Sequence, residues 1–308
     1  MSMSASPAMP PERGETDRRG LIQAGAGFWV APQYRKPLAA LGLDSLEAVF
    51  AFDQGKDLAK PTIGRFRRRV ELDVRRPGAD VPTKVFLKRY DHPPLLKQIR
   101  NWIAHHQRGS FGLLEQDAAC RLADAGINTP RTVACGEKWG RFFERNSFFA
   151  TEEVPDSDAL ERRLPDCFEG SCDSVQRRQR RDFIASLADF IRRFHETGYR
   201  HRDLYFSHVF CSKTGEFCLI DLARASRPFL QRRYQIKDIA QLHFSAPAGR
   251  FSCTDRLRFL RAYLGRRKLR QSDRVFIRKI VAKAHRMARH NRKHHIPVPF
   301  QEHAAGTG

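Results

Sequence analysis

The stretch that decides the fold is YRHRDLYFSHVFCSKTGEFCLIDLARA, residues 199–225. A His-Arg-Asp triplet near its start ends at Asp203, and two short apolar runs follow at 209–211 and 217–220. The runs are separated by a Lys-Thr-Gly turn, and two apolar runs joined in this way predict a β-hairpin. The hairpin would carry a carboxylate at each end, because Asp221 follows the second run, 18 residues after Asp203.

Two carboxylates brought together by a hairpin suit phosphoryl transfer. In that chemistry one carboxylate orients the attacking hydroxyl and the other holds Mg²⁺ on the phosphates. The triplet alone can arise by chance in an arginine-rich chain. The triplet, the hairpin and a strand-terminal aspartate at this spacing form a much more specific pattern.

The composition limits the class of protein. The chain has 308 residues, of which 41% are apolar, and its 23 Phe are ample for a hydrophobic core, so a fully disordered chain is excluded. Its net charge of +22 implies an anionic partner, which charge alone leaves open among nucleic acid, an acidic membrane and a phosphorylated substrate. Seven Cys without a repeating framework predict reduced thiols.

The first 20 residues are rich in Ser, Pro, Glu and Arg and lack the apolar core of a signal peptide. We expect this segment to be disordered. No window reaches the roughly 18 apolar residues of a membrane span. The sequence therefore predicts a soluble or peripheral protein that stays inside the cell.

A lysine-bearing strand precedes the hairpin. Residues 67–75 alternate in part between apolar and polar side chains, which indicates a half-buried strand, and a Pro-Gly turn leads to a return strand at 83–90. Lys88 ends the apolar run 85–87. Kinases place a lysine in this way to reach the nucleotide phosphates. A surface lysine at a strand end is the alternative.

Three further positions are candidates for the nucleotide site. Glu115 lies near the start of a predicted helix at 111–125, where it would pair with Lys88 or only stabilise the helix dipole. A predicted strand at 147–154 contains Glu153, and its backbone would meet an adenine ring where the chain crosses between lobes. Gly64 is the single glycine of PTIGR and is either part of a phosphate-covering loop or a simple turn.

The remaining segments predict supporting elements. Residues 92–109 carry a basic cluster and are interpreted as an insertion that contacts an anionic substrate or lipid, or as a solvated face. Helical spacing predicts helices at 177–195 and near 234–242, the latter with Asp238 bracing the catalytic loop. A helix at 273–290 would pack by its apolar face and leave its basic face to lipid phosphates.

With Lys88, Glu115, HRD and IDL in this order, the chain resembles the protein-kinase-like superfamily. More narrowly, HRDLYFSH and LIDLARA are similar to the catalytic segments of the lipopolysaccharide core heptose kinase (Kdo/heptose kinase) family. The resemblance covers about residues 28–290. It is specific at the catalytic loop and loose at the phosphate loop.

The resemblance implies an α+β, two-lobed protein-kinase-like fold. Its expected parts are a disordered tail at 1–27, a small β-rich N-lobe at 28–153, and a mostly helical C-lobe at 154–308 that includes the basic C-terminal helix. The implied reaction moves the γ-phosphate of ATP, with Mg²⁺, to a heptose or Kdo hydroxyl of the lipid A core. The enzyme would be peripheral on the cytoplasmic face of the inner membrane, with this anionic glycolipid as partner and no nucleic acid.

The resemblance also implies roles for single residues. Asp203 would be the base that orients the acceptor hydroxyl, and Asp221 would chelate Mg²⁺. Lys88 would hold the phosphates and Glu115 would orient it. His208 stands where protein kinases have a metal-binding Asn, but imidazole is a poor ligand for Mg²⁺. His208 is therefore a candidate for the metal site or for a contact with phosphate or Asp221.

Two other functions remain open at this point. The chain could be a kinase-fold phosphotransferase for another small molecule or a protein, although Leu222-Ala223 and the lack of a following Ala-Pro-Glu argue against a protein substrate. It could also be a basic scaffold without turnover, since basic surfaces bind phosphates of any kind.

Overall fold

The structure is a computed structural model that describes residues 18–58, 66–168 and 173–299. The strands in these ranges are Ile22–Gly25 (β1), Phe28–Val30 (β2), Lys56–Asp57 (β3), Arg67–Val74 (β4), Thr83–Asp91 (β5), Thr132–Trp139 (β6), Glu144–Glu152 (β7), Ser157–Ala159 (β8), Val209–Ser212 (β9) and Phe217–Leu219 (β10). The α-helices are Arg35–Ala40 (α1), Leu46–Ala51 (α2), Leu95–His105 (α3), Phe111–Asp124 (α4), Ser174–Glu196 (α5), Gln231–Ser245 (α6), Cys253–Tyr263 (α7) and Gln271–Lys293 (α8).

The N-terminal part is built on one seven-stranded antiparallel sheet in the order β1-β2-β6-β7-β5-β4-β3. The predicted strand pair is confirmed as β4 and β5, which pair along their whole length. In β5 the apolar side chains of Val85 and Leu87 point into the core, while Lys88 belongs to the opposite face because successive side chains alternate. The sheet therefore presents Lys88 on the face opposite Val85 and Leu87, where it contacts Glu115 of α4.

Helix α4 packs against β7 at a point that only glycine allows. A Cβ on Gly112 would lie 2.6 Å from the carbonyl oxygen of Phe148, so the missing side chain lets the helix start approach the strand backbone. The Ser110 hydroxyl caps the helix by accepting a hydrogen bond from Leu113 N at 3.4 Å. The helix predicted at 111–125 is confirmed and is placed against the sheet.

The predicted hairpin is confirmed as β9 and β10, with Phe217 opposite Cys211 and Leu219 opposite Val209. A third strand, β8, completes a small sheet in the order β10-β9-β8. The sequence reasoning gave no strand there, because Ser157–Ala159 is too short to show alternation. The amide of Leu219 donates to the carbonyl of Asn128 at 2.9 Å, which ties the hairpin to the segment after α4.

The C-terminal part is helical, with α5 packed on α7 and α6 packed on α8. The predicted helices at 177–195, 234–242 and 273–290 are confirmed as α5, α6 and α8. Phe276, Ile280, Ala284 and Ala288 of α8 are buried, so this helix packs on the lobe by one apolar face, as expected. No helix within the described ranges carries an apolar stretch long enough to cross a bilayer.

Three details differ from the expectations. The tail predicted at 1–27 extends too far, because β1 pairs with β2 and buries Leu21; residues 1–17 lie outside the described residues. The aromatic start and apolar runs of residues 28–52 predict short helical turns, but Phe28–Val30 forms the strand β2. Residues 95–105 form a regular helix, α3, within the segment interpreted as an insertion. The lobe boundary between 153 and 154 stays a prediction.

Candidate active site

Lys88 and Glu115, which the sequence offered as an ion pair, are in contact. Lys88, on β5, forms a salt bridge with Glu115 of α4, and its Nζ also lies 3.0 Å from Asp221 Oδ1. Glu115 is almost fully buried, and the hydroxyl of Tyr90 donates to its second carboxylate oxygen at 3.0 Å. Lys88 is thus an internal ion-pair partner rather than a surface lysine at a strand end. Its side chain joins the sheet, α4 and the hairpin at one point.

Asp221 lies at the centre of a cluster of cations. It follows β10 directly and adopts a left-handed backbone conformation with φ of 56°, which is uncommon for a residue other than glycine. Arg67 and Arg69 of β4 contact its two carboxylate oxygens at 3.0 and 2.5 Å. Burial alone would raise the pKa of Asp221, but the charges of Lys88 and the two arginines hold that pKa well below its usual range. The carboxylate is therefore ionised at neutral pH.

Sequence reasoning missed Arg67 and Arg69. They are two positions apart on one strand, so both side chains leave the same face of β4. The spacing was visible in the sequence, but nothing there showed that this face looks toward Asp221. The Nε–H of each arginine is buried and has no partner among the described residues. Donors of this kind fit an anionic group bound beside Asp221.

The loop that carries the His-Arg-Asp triplet is held by α6, as predicted for Asp238. The carboxylate of Asp238 is fully buried and accepts the backbone N–H groups of His201 and Arg202 at 2.8 Å each. Lys237 of the same helix donates to the Arg202 carbonyl. Arg202 adopts a left-handed conformation with φ of 65°. Because such a backbone is strained, it persists only where surrounding contacts fix it, and Asp238 supplies them.

The carboxylate of Asp203 is half-buried and is held from the side of α6. Its Oδ1 accepts from Gln241 Nε2 at 3.3 Å and lies 3.8 Å from a guanidinium nitrogen of Arg224. The same Gln241 accepts the backbone N–H of Leu204 at 3.2 Å, so it fixes both the loop and the carboxylate. A positioned, partly exposed carboxylate of this kind can accept a proton from a hydroxyl.

His208 connects the two aspartates. Its Nδ1 lies 2.7 Å from the carbonyl oxygen of Asp203 and must donate, because a carbonyl oxygen only accepts. Its Nε2 then faces Asp221 at 3.7 Å. The contact with Asp221 that was one of the alternatives is therefore present in the structure. Its role as a metal ligand stays a prediction.

The residue before Asp221 is held from both sides. His201 Nε2 donates to the carbonyl of Ile220 at 3.0 Å, and the amide of Ile220 donates to the carbonyl of His208 at 3.1 Å. Burial lowers the pKa of His201, so its ring is neutral and can be a single-proton donor. The loop before β9 and the end of β10 are thereby joined directly.

The residues present fit a Mg²⁺–nucleotide site. The described part of the chain holds no group of three or more His, Cys, Asp or Glu placed to bind a metal by itself. Mg²⁺ is commonly held by one or two carboxylates together with substrate phosphates, so Asp221 suffices as a protein anchor. Lys88, Arg67 and Arg69 surround the same carboxylate and would face the phosphates.

Two predicted nucleotide contacts, at Glu153 and Gly64, stay predictions. Glu153 follows β7 and is exposed, and its backbone N–H donates to the Lys84 carbonyl at 2.8 Å. That N–H is consequently engaged within the protein, and an adenine contact by Glu153 stays a prediction. Gly64 lies outside the described residues.

Comparison with known proteins places the chain in a family. The model of the "Lipopolysaccharide kinase (Kdo/WaaP) family" matches residues 97–263. The lipopolysaccharide core heptose(I) kinase WaaP of Escherichia coli K12 is 30% identical over 188 residues, which are 58% of this chain and 70% of that protein. WaaP of Pseudomonas aeruginosa PAO1 is 34% identical over 165 residues, 51% of this chain and 60% of that protein.

The solved structure "WaaP in complex with acyl carrier protein" is similar to this chain, with a TM-score of 0.57, 26% identity, and coverage of 87% of this chain and 98% of that one. Fold and site together define a kinase-like phosphotransferase, and the predicted two-part fold is confirmed. The chain belongs to the lipopolysaccharide kinase (Kdo/WaaP) family. The resemblance seen in HRDLYFSH and LIDLARA is thereby confirmed. Because the family match begins at residue 97, Lys88 is supported by geometry rather than by that match.

Proposed function

We propose that the chain transfers the γ-phosphate of ATP to a heptose or Kdo hydroxyl of the lipopolysaccharide inner core, at the cytoplasmic face of the inner membrane. The observation that carries the proposal is the contact of Lys88 with both Glu115 and Asp221. Names of the relatives support a core sugar as acceptor, since two of them are heptose(I) kinases. The net charge of +22 suits a densely anionic glycolipid.

The nucleotide half of the site is formed by β4, β5 and the end of the hairpin. Lys88 would hold the phosphates, and Glu115 fixes the direction of its side chain through a buried ion pair. Asp221 would anchor Mg²⁺, and the bound ion would offset the negative charge that develops during the transfer. The ion pairs that Arg67 and Arg69 now make with Asp221 would give way to contacts with phosphate.

The acceptor half is formed by the catalytic loop. The carboxylate of Asp203 would accept the proton of the sugar hydroxyl while Gln241 and Arg224 keep it in place. Hydrogen bonds to Oδ1 leave the remaining lone pairs of the carboxylate for that proton. The Asp203 backbone is fixed from two directions, by Asp238 through the preceding residues and by His208 at its carbonyl.

The test compares the wild-type chain with Asp203→Asn, using Mg²⁺ and ATP with three acceptors: deacylated core oligosaccharide, a generic protein, and none. We expect turnover only with the core oligosaccharide, and we expect Asp203→Asn to lower kcat by about 10²–10⁴-fold, the range that general-base catalysis contributes. ATP affinity should be retained, because the substitution leaves Lys88 and Asp221 in place. Turnover with the protein alone would favour a protein kinase, and no ATP binding would favour a scaffold.

A carrier-protein partner is a second element of the proposal. The solved relative is a complex with acyl carrier protein, and this chain has an apolar cavity of about 360 Å³ among α5, α6, α7 and α8. Its walls include Leu187, Leu242, Phe251, Leu260 and Ile280. A cavity with such walls would favour an acyl chain. Tighter binding of acylated than of unacylated carrier protein, both purified, would support this partner, and equal binding would contradict a role for the cavity.

A further inference from the structure

Helix α3 exposes its apolar face to solvent, whereas an ordinary surface helix buries that face. Its four large aliphatic side chains are exposed: Leu95 by 54%, Leu96 by 70%, Ile99 by 39% and Ile103 by 67%. At 100° per residue these positions fall within an arc of about 100°, so they form one continuous apolar face. Soluble helices normally bury such a face.

The polar side of α3 faces the protein instead. Gln98 is buried, and its amide donates to the carbonyls of Pro93 at 2.8 Å and Glu144 at 3.0 Å, while its oxygen accepts from Glu144 N at 2.9 Å. The indole of Trp102 donates to the Gly109 carbonyl at 2.8 Å. These contacts fix the rotation of the helix. The exposed leucines and isoleucines are therefore a fixed feature of the surface.

The apolar face continues onto the helical part of the protein. The ring of His106, at the end of α3, lies 3.9 Å from the ring of Phe229. Phe229 is 85% exposed and its neighbour Leu230 is exposed as well. We call Leu95, Leu96, Ile99, Ile103, Phe229 and Leu230 the apolar strip. Both parts of the protein contribute to it.

The two chain segments that form the strip carry only positive charges. Residues 93–109 contain one Lys and two Arg and no Asp or Glu. Residues 222–237, which include Phe229 and Leu230, contain four Arg and one Lys and again no Asp or Glu. Exposed aliphatic and aromatic side chains on basic segments match the chemistry of an interfacial helix on anionic lipid.

We propose that the apolar strip is the surface by which this protein docks on an anionic phospholipid bilayer, with α3 lying in the interface. The proposal deepens the membrane-surface part of the proposed function and rests on it. Its separate content is the place of contact. Helix α8, whose basic face was the candidate from the sequence, is held to the protein by its apolar face and has no comparable aliphatic face to insert.

The strip lies close to the catalytic loop. His105 of α3 is near Arg202 of the triplet. Burial, and to a smaller extent the positive charge of Arg202, lower the pKa of His105 to about 4. Phe229 and Leu230 follow Asp221 by eight and nine residues. Docking through the strip would consequently bring the triplet loop to the bilayer surface, where the sugar of a glycolipid lies.

The experiment measures co-sedimentation of the purified full-length chain with vesicles of phosphatidylglycerol and phosphatidylethanolamine. The test variant is Leu96→Glu/Ile103→Glu, since both side chains are exposed and their replacement spares the core. The control is Val81→Glu/Val175→Glu, which adds the same charge at exposed valines outside the strip. We expect about a tenfold loss of vesicle affinity for each strip side chain removed, and little change in the control.

Equal binding of the test and control variants would overturn the proposal, as would a wild-type chain that does not bind vesicles. A test variant that keeps vesicle binding but loses self-association or carrier-protein binding would also overturn it, in favour of a protein partner. Turnover on soluble deacylated core should be the same in the wild type and the test variant. Absent turnover together with strip-dependent vesicle binding would contradict the proposed reaction and support the docking surface.

Discussion

The substitution Asp238→Asn tests whether α6 positions the catalytic loop. The carboxylate accepts two backbone N–H groups, those of His201 and Arg202, at 2.8 Å each. The single oxygen of an asparagine amide can accept from one of them, and its NH₂ group then faces the other donor. A buried N–H left without an acceptor costs about 1–3 kcal/mol, and the loss of charge weakens the remaining bond further.

We therefore expect Asp238→Asn to lower the free energy of unfolding by about 2–3 kcal/mol, measured by urea denaturation. We expect a larger effect on kcat, about a hundredfold, because Asp203 follows Arg202 directly and an ångström of misplacement can cost that much. The KM for ATP should change less than kcat, because Asp238 reaches Asp221 only indirectly, through His201 and Ile220. Activity is measured with Mg²⁺, ATP and deacylated core oligosaccharide.

The control is Asp189→Asn on α5, which removes an exposed carboxylate paired with Arg192 and Arg193. Exposed ion pairs of this kind contribute less than about 1 kcal/mol, so stability and kcat should stay close to wild type. Wild-type kcat in Asp238→Asn would refute the reasoning. So would a loss of kcat no larger than the control shows.

Two further predictions concern β4 and β7. Arg69→Ala should raise the KM for ATP about tenfold with little change in kcat, because it removes a charged hydrogen bond to phosphate; a lower KM would show that the arginine instead competes with Mg²⁺ for Asp221. Glu144→Gln should flatten the pH dependence of stability. Burial raises the pKa of Glu144 from 4.5 to about 7, so the folded chain keeps a proton that the unfolded chain has lost, and wild-type stability falls as the pH rises between these values. Urea unfolding across that range should show a smaller fall in the variant, and an equal fall would contradict it.

The local patterns predicted much of the fold. Alternation located β4 and β5, helical spacing located α4, α5 and α8, and the turn located the hairpin. These elements succeed because their apolar periodicity arises within a few residues. Local patterns also pointed to Lys88 and Asp221 as site residues, because each of them ends an apolar run that predicts a strand.

Such local patterns do not predict which residues come together from distant parts of the chain. In the sequence, Arg67 and Arg69 have the pattern of the solvent-exposed face of a half-buried strand. Their partner, Asp221, lies about 150 residues later, at the end of β10, and contacts them only because β4 and β10 are brought together by the fold. Helix α3 was missed for the opposite reason. Its apolar face points to solvent and its buried contacts are made by Gln98, so tertiary hydrogen bonds override the usual orientation.

The double attachment of Ile220 has a consequence for motion. His201 and His208 lie on either side of Asp203, and both bond to the residue before Asp221. These hydrogen bonds link the loop that carries Asp203 directly to the end of β10 that carries Asp221, so the two carboxylates belong to one unit. Lys88 and the two arginines of β4 reach Asp221 from the sheet. In the proposed reaction, nucleotide entry and release would therefore require movement of the sheet relative to that unit, while the relative positions of the two carboxylates would be kept.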